Sequence, residues 1–181
     1  MIPLRSEITK KVLNYFFLNP SENLYVNELV RKLNLDKRNL VKKAKELEKE
    51  GILKSQSRGN LKLYTLNKEY SLYRELRKIF LKTFGVEEKI RKILEMTDGV
   101  KTAYLYGSYA RDQMAVHSDI DLLVVGNHNI TQLQRQLNRI QKEIDREINT
   151  VNMSPVDFKR RTRNKDPFIS GIIKRAKIKL I

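Results

Sequence analysis

Apolar residues recur at helical spacing from the first stretch of the chain. Ile8, Val12 and Phe16 fall on one face after Ser6, a residue suited to cap a helix, and Asn19-Pro20 ends the run. Asn23-Leu24-Tyr25 reads as a short extended piece. Val26, Leu29, Val30 and Leu33 then form the stripe of a second helix, and Asn34-Leu35 is a tight connection. Asp36 caps a third helix that runs to Glu50, where Gly51 stops it. In this third helix Leu40, Val41, Ala44 and Leu47 make the buried face. At 100° per residue, Arg38, Lys42, Lys45 and Lys49 gather on the opposite one. Two β-rich runs, 52–57 and 61–66, flank Arg58-Gly59-Asn60 and predict a hairpin.

The helical period continues through 70–98. Leu72, Leu76, Ile79, Phe80 and Phe84 mark a connecting helix, expected to pack on the hairpin or on a second copy of the chain. Gly85 breaks it, and Val86, Ile90, Ile93 and Leu94 mark the next helix. Residues 101–106 are a short β-type run that ends in Gly107-Ser108. Tyr109-Ala110-Arg111-Asp112 follows as a short helix, and Asp119-Ile120-Asp121 leads a second apolar run, Leu122 to Val125. Ile130, Leu133, Leu137, Ile140 and Ile144 predict a long amphipathic helix, and 148–153 a third strand. Ser154-Pro155 and Pro167-Phe168 each read as a helix start, and 177–181 as a final strand. No internal repeat or low-complexity segment is visible. The pattern predicts an α+β chain in three segments: 1–69, a connecting helix over 70–85, and 86–181.

Composition narrows the classes. A chain of 181 residues with 40% hydrophobic content can build one ordinary domain or two small ones. No run approaches the length of apolar sequence that a membrane span needs, and the start lacks the pattern of a signal peptide, so a cytoplasmic protein is expected. With no cysteine, disulfides, thiolate metal sites and a Cys nucleophile are excluded. The net charge is +16. Residues 1–70 hold 15 Lys and Arg against 8 Asp and Glu, and residues 71–181 hold 22 against 13, so both halves are basic. Such a field suits polyanions, although solubility or a thermophile-type lysine-rich surface would account for bulk charge alone.

The candidate chemistry lies between residues 107 and 121. Residues i and i+2 of a strand share a face, so Asp119 and Asp121 project together as hard oxygen ligands of the kind Mg²⁺ takes. Gly107 lets the backbone come close to a phosphate, and Ser108 offers a hydroxyl and an amide at a helix start. A phosphate cradle beside paired carboxylates suits metal-assisted nucleotidyl transfer.

Two resemblances follow. The order of elements over residues 5–68 resembles the winged helix-turn-helix domains of microbial transcription regulators. That resemblance implies a third helix in the major groove of duplex DNA and a wing on the backbone. Carried onto this sequence, Lys37, Arg38, Asn39, Lys42 and Lys43 would face DNA, with Arg58 and Lys62 on the wing. Asn39 suits adenine and Arg38 guanine, whereas most lysines suit phosphate. The interspersed Glu46, Glu48 and Glu50 leave open a merely solvated face, and winged helices also serve as protein-interaction modules.

The stretch GSYARDQMAVHSDIDLLVV resembles the signature of DNA polymerase beta-like nucleotidyltransferases, in particular the minimal nucleotidyltransferase group, over about residues 86–181. The resemblance implies that Gly107 and Ser108 bind the triphosphate of an NTP, ATP first, and that Asp119 and Asp121 hold Mg²⁺, with two metals in reach. Arg111 then either touches phosphate or ties the short helix to a carboxylate. Ser118 belongs with the nucleotide-binding residues, most simply by orienting the Asp strand. Asp112 stands where the group usually has Gly. His117 and His128 read as loop and turn residues.

The group often carries a third Asp in the next strand, and here Arg146-Glu147-Ile148-Asn149-Thr150 puts Asn149 at that place. An amide cannot take a proton at neutral pH. Glu147, two residues earlier, would share a face with Asn149 and could substitute; its other reading is a surface ion pair at a helix end. The expected protein is thus a DNA-binding regulator, a homodimer, whose second domain binds NTP and Mg²⁺. In the minimal nucleotidyltransferase group this resembles antitoxins that transfer AMP to a HEPN-type toxin. A non-catalytic nucleotide sensor and a small-molecule or RNA nucleotidyltransferase are the alternatives. The basic run at residues 159–165 reads as a solvated helix end or as a site for acidic partners or nucleic acid.

Overall fold

Helix starts and stops in this chain are set by local chemistry. Ser6, Asp36, Asn129, Ser154 and Asp166 each accept a hydrogen bond from a backbone N–H of the first turn that follows, satisfying a donor with no partner inside the helix. The computed structural model describes residues 6–114 and 118–181. His117 lies outside the described residues. The chain divides into two compact units, residues 1–85 and 86–181.

The first unit contains α1 (Glu7–Leu18), β1 (Asn23–Tyr25), α2 (Val26–Leu33), α3 (Lys37–Lys49), β2 (Leu53–Arg58), β3 (Leu61–Leu66) and α4 (Tyr73–Thr83). Asn34 closes α2 in the left-handed region, and Gly51, at φ +78°, closes α3 while Ile52 N–H donates to the Leu47 carbonyl. The strands form an antiparallel sheet in the order β1-β3-β2. Arg58 is the last residue of β2, paired with Leu61, so the hairpin loop is Gly59-Asn60 and not the three residues read from the sequence. The core joins Leu13, Phe16, Leu29, Leu40, Ala44, Leu47 and Tyr64.

The connecting helix has a partner that the sequence did not name. α4 lies on α1: the Phe17 and Phe80 rings sit 5.6 Å apart, Arg77 Nε donates to the Phe17 carbonyl at 2.9 Å, and Asn14 Nδ2 donates to the Phe84 carbonyl at 2.9 Å. The buried residues of α4 are therefore Leu76, Phe80 and Leu81, while Leu72 and Ile79 are exposed at 55% and 54%. The same packing buries the last turn of α1 on every side, Tyr15 through Leu18, where the sequence showed a single stripe.

The second unit contains α5 (Val86–Glu95), β4 (Val100–Tyr106), α6 (Gly107–Ala110), β5 (Ile120–Gly126), α7 (Ile130–Ile144), β6 (Ile148–Met153), α8 (Pro155–Arg163), α9 (Pro167–Lys174) and β7 (Ile178–Lys179). The sheet order is β6-β5-β4-β7; β5 pairs parallel with β6 and antiparallel with β4, which pairs antiparallel with β7. This is the mixed sheet expected. Strand alternation gives it two faces. Ala103, Leu105, Leu122 and Val124 point to one side, where α5 and α7 pack and Thr150 Oγ1 donates to Gln134 Oε1 of α7. Tyr104, Tyr106, Leu123, Val125, Val151 and Met153 point to the other, under Phe158 of α8 and Ile169 and Ile172 of α9. No helix among the described residues is long and apolar enough to cross a membrane.

Candidate functional site

Strand register builds the site. Across the sheet, Tyr106, Asp121 and Asn149 form one row, because Tyr106 pairs with Asp121 in β4·β5 and Asp121 with Asn149 in β5·β6. Asp119 lies just before β5, and its charge reaches Asp121. Asn149 Nδ2 donates to Asp119 Oδ2 at 3.0 Å. Asn149 thus lies beside both aspartates, on the neighbouring strand.

Gly107 follows the row directly. Its φ is +69°, and a Cβ built on it would lie well inside van der Waals contact with Asp121 Oδ2. Only glycine leaves the carboxylate where it is. Asp121 is held above its usual pKa, first by burial, then by the charge of Asp119; Arg111 acts in the opposite direction. The Tyr106 hydroxyl is likewise raised, by burial and then by Asp121. Two carboxylates close together, neither ion-paired among the described residues, form a local concentration of negative charge in a chain of net +16.

The remaining site residues divide. Arg111 is exposed; its Nε donates to Gln113 Oε1 at 3.1 Å, and its charge is felt by Asp121 without a hydrogen bond to it. Ser108 sits in α6, which is only four residues long, and its carbonyl accepts from Gln113 N–H. The Ser118 carbonyl accepts from Arg146 Nη1 at 2.6 Å. Glu147 lies just before β6, where its carbonyl accepts from Ile120 N–H, and its side chain is exposed. Glu147, Asp119, Ser118, Lys142 and Gln141 line one open cleft of about 640 Å³.

Sequence reading missed two residues that hold this end of the sheet. Arg146 is 7% exposed, and by gripping the Ser118 carbonyl it fixes the backbone entering Asp119. Its position three residues before Asn149 was the only signal. Glu87, buried in α5, accepts a hydrogen bond from Tyr109 Oη at 3.2 Å and so anchors α6; a glutamate in the first turn of a helix carries no such signal. His128, read as a turn residue, also reaches β6, with Nε2 2.8 Å from Asn152 Oδ1.

The donor set fits a magnesium ion carried with a phosphate ligand. Mg²⁺ commonly takes one or two protein carboxylates and completes its shell with water and phosphate oxygens. Asp119 and Asp121 supply that pair. No cluster of three or more His, Cys, Asp or Glu suited to a metal occurs among the described residues.

In the first unit, Lys37, Arg38, Asn39 and Lys42 are exposed on one side of α3, and Arg58 is exposed at the hairpin end. Two of the sequence-read cations are engaged internally. Lys43 Nζ pairs with Glu46 at 2.7 Å, and Lys62 Nζ pairs with Glu48 at 2.7 Å and lies 5.3 Å from the Tyr64 ring. Hydrogen bonds from Lys62 and Ser55 hold Glu48 below the usual carboxylate range, and Glu48 in turn raises Lys62.

Comparison with known proteins adds a family. The family model described as polymerase beta, nucleotidyltransferase, matches residues 88–179. No curated protein matches the chain in sequence. Among solved structures, a mutant of the toxin–antitoxin MntA–HpeT is 17% identical with a TM-score of 0.39, covering 53% of this chain and 73% of that one. A toxin–antitoxin crystallised with AMP-PNP is 19% identical at TM-score 0.39, covering 52% and 72%. A Sulfolobus solfataricus protein described as a nucleotidyltransferase is 20% identical at TM-score 0.29, covering 41% and 68%.

Proposed function

The chain belongs to the polymerase beta nucleotidyltransferase family, and from that premise we propose that residues 86–181 bind an NTP, ATP first, with Mg²⁺ and transfer its nucleotidyl group to an acceptor hydroxyl. The observation that carries the reading is the row Tyr106–Asp121–Asn149 with Gly107 against it, since a glycine forced by a carboxylate is a feature of a site and not of a solvated loop.

Asp119 and Asp121 would hold Mg²⁺, which when bound supplies charge neutralisation along the triphosphate. Gly107 gives the phosphates close approach to the backbone, Ser108 offers them its hydroxyl, and Arg111 and Ser118 flank them. In the transfer, the acceptor oxygen bonds to the α-phosphorus, the bond to the bridging oxygen breaks, and diphosphate leaves. The hydroxyl proton goes to a base. Asn149 cannot take it, whereas Glu147 and Asp145 share the open cleft with Asp119, and we assign the role to Glu147, two residues before Asn149. By analogy with the minimal nucleotidyltransferase group, the acceptor is a protein, of the HEPN-toxin kind.

For residues 1–69 we propose a winged helix-turn-helix that binds duplex DNA. α3 would lie in the major groove through Lys37, Arg38, Asn39 and Lys42, with Arg58 on the wing. Lys43 and Lys62, neutralised by glutamates, contribute least. The whole protein is then a homodimeric regulator. One observation favours a second reading, a nucleotide sensor without turnover: the amide of Asn149, hydrogen-bonded to Asp119, stands where the group's third carboxylate would be.

Incubation with α-phosphate-labelled NTP, Mg²⁺ and cell lysate separates the two. Transfer of label that Glu147→Gln abolishes supports catalysis with Glu147 as base. If wild type is inert and Asn149→Asp restores no transfer while NTP still binds, the sensor reading stands. General-base help is worth roughly 10²–10⁴ in rate, so either result is measurable.

A further inference from the structure

The last 27 residues carry nine Lys or Arg against two Asp, and every one of the nine is exposed. The nucleotidyl-transfer reading uses none of them. They sit on α8, on α9 and along the chain through the edge strand β7, and α8 and α9 cover the same sheet face to which Asp121 and Asn149 belong. Among the described residues, Arg160 alone of the nine is ion-paired, with Asp157 at 2.6 Å. Lys177 donates to the Ile173 carbonyl. Lys159, Arg161, Arg163 and Lys165 therefore present charge to solvent without an internal counterion.

An aromatic step adjoins this charge. Phe168 follows Lys165 by three residues and is 41% exposed. Its ring meets Tyr106 edge-on, with centroids 5.8 Å apart and planes at 87°. Tyr106 is the direct strand neighbour of Asp121. A half-exposed aromatic beside unpaired cations is the combination that holds single-stranded nucleic acid: cations follow the phosphates, and a base stacks on the ring. A duplex keeps its bases stacked and would leave Phe168 unused. An acidic polypeptide has phosphate-like charge but no flat face for the ring.

We propose that the α8–α9 layer is a binding surface for single-stranded nucleic acid, with a base stacked on Phe168 beside Tyr106. The surface belongs to the second unit, and the proposal stands independently of nucleotidyl transfer.

The test is fluorescence anisotropy of a labelled fifteen-nucleotide single strand with the full chain. The background variant is Arg38→Ala/Lys42→Ala/Arg58→Ala, which removes the other basic face. That background should bind the strand, with affinity falling as salt rises. Adding Arg161→Glu/Arg163→Glu/Lys165→Glu should weaken binding more than tenfold and flatten the salt slope by about 0.7 per lost phosphate contact. Adding Phe168→Ala instead should cost about fivefold or more at an unchanged slope. The charge-reversed side chains are exposed, and that variant should melt at the background value, while Phe168→Ala, which gives up the contact with Tyr106, should keep the background circular dichroism spectrum at the assay temperature. The proposal is overturned if the background does not bind, if the charge reversals leave affinity unaltered, or if polyglutamate of equal length displaces the strand as well as unlabelled strand does.

Discussion

The charged helix α3 and the strand end at Asp119–Asp121 treat their charges in opposite ways. On and around α3, glutamates answer the lysines: Lys43 pairs with Glu46, and Lys62 with Glu48, which also accepts from Ser55. At the strand end, two carboxylates lie close together, and among the described residues no cation is bonded to either; there Asp119 receives an amide, and Asp121 is pushed above its ordinary pKa by burial and by Asp119. A face that neutralises itself is stable without a ligand and gives a ligand only its remaining cations. A like-charged pair is unfavourable until something positive arrives, and local strain of this kind points to a site more strongly than bulk charge does. The difference explains why the second region supports a functional reading more firmly than the first, although the first carries more visible charge.

The largest way to break this comparison is to remove the pair. Asp119→Asn/Asp121→Asn should abolish Mg²⁺-dependent NTP binding by calorimetry, a fall of roughly 10²-fold or more, since both hard ligands are gone. In metal-free buffer, Asp121→Asn alone should raise the melting temperature. A raised carboxylate pKa means that the folded state holds the proton more tightly than the unfolded chain, so ionisation at neutral pH costs stability that the amide does not lose. A lower melting temperature for Asp121→Asn would show that the two carboxylates do not strain each other.

Next in size is Gly107→Ala. The new methyl must displace the Asp121 carboxylate and adopt a left-handed backbone, at about 1–3 kcal/mol. NTP affinity should fall, though less than in Asp119→Asn/Asp121→Asn, while urea denaturation shows the fold weakened but intact. Unchanged affinity would separate Gly107 from the site.

On the α3 side, Arg38→Ala/Lys42→Ala/Arg58→Ala should weaken duplex DNA binding more than tenfold, and log K against log salt should flatten by about 0.9 per lost contact. Lys62→Ala should do far less, because Glu48 already occupies that ammonium. Equal losses from the two variants would mean that internal pairing does not matter to the face.

The smallest expected effect is that of Glu48→Gln. Glu48 is held below the usual range, so its stabilisation is present above the unfolded pKa and is lost as pH falls through the folded one. With about a third of each side chain exposed, the pair is worth about 0.5 kcal/mol at pH 7 after solvent screening. Wild type and variant should converge in urea melts at acidic pH, and a gap that persists there would assign the effect to packing.

Local pattern determined most of the elements. Capping residues, the Gly51 stop, strand alternation and helical stripes were legible because each depends on neighbours within a few positions. The closeness of Asp119 and Asp121 was legible too, since two residues of separation at the start of a strand keep their charges near each other. What the sequence could not decide depended on pairings between distant segments. The stripe of α4 did not reveal that α1 is its partner, which left Leu72 and Ile79 outside and buried Leu81. Lys62 on the hairpin read as a free cation until Glu48 of α3 reached across to it. At the site, only the β4·β5 and β5·β6 registers set Tyr106, Asp121 and Asn149 in one row, and that row adds a second reason for glycine at 107 beside its positive φ. Register is a property of two strands at once, and no single segment of sequence contains it.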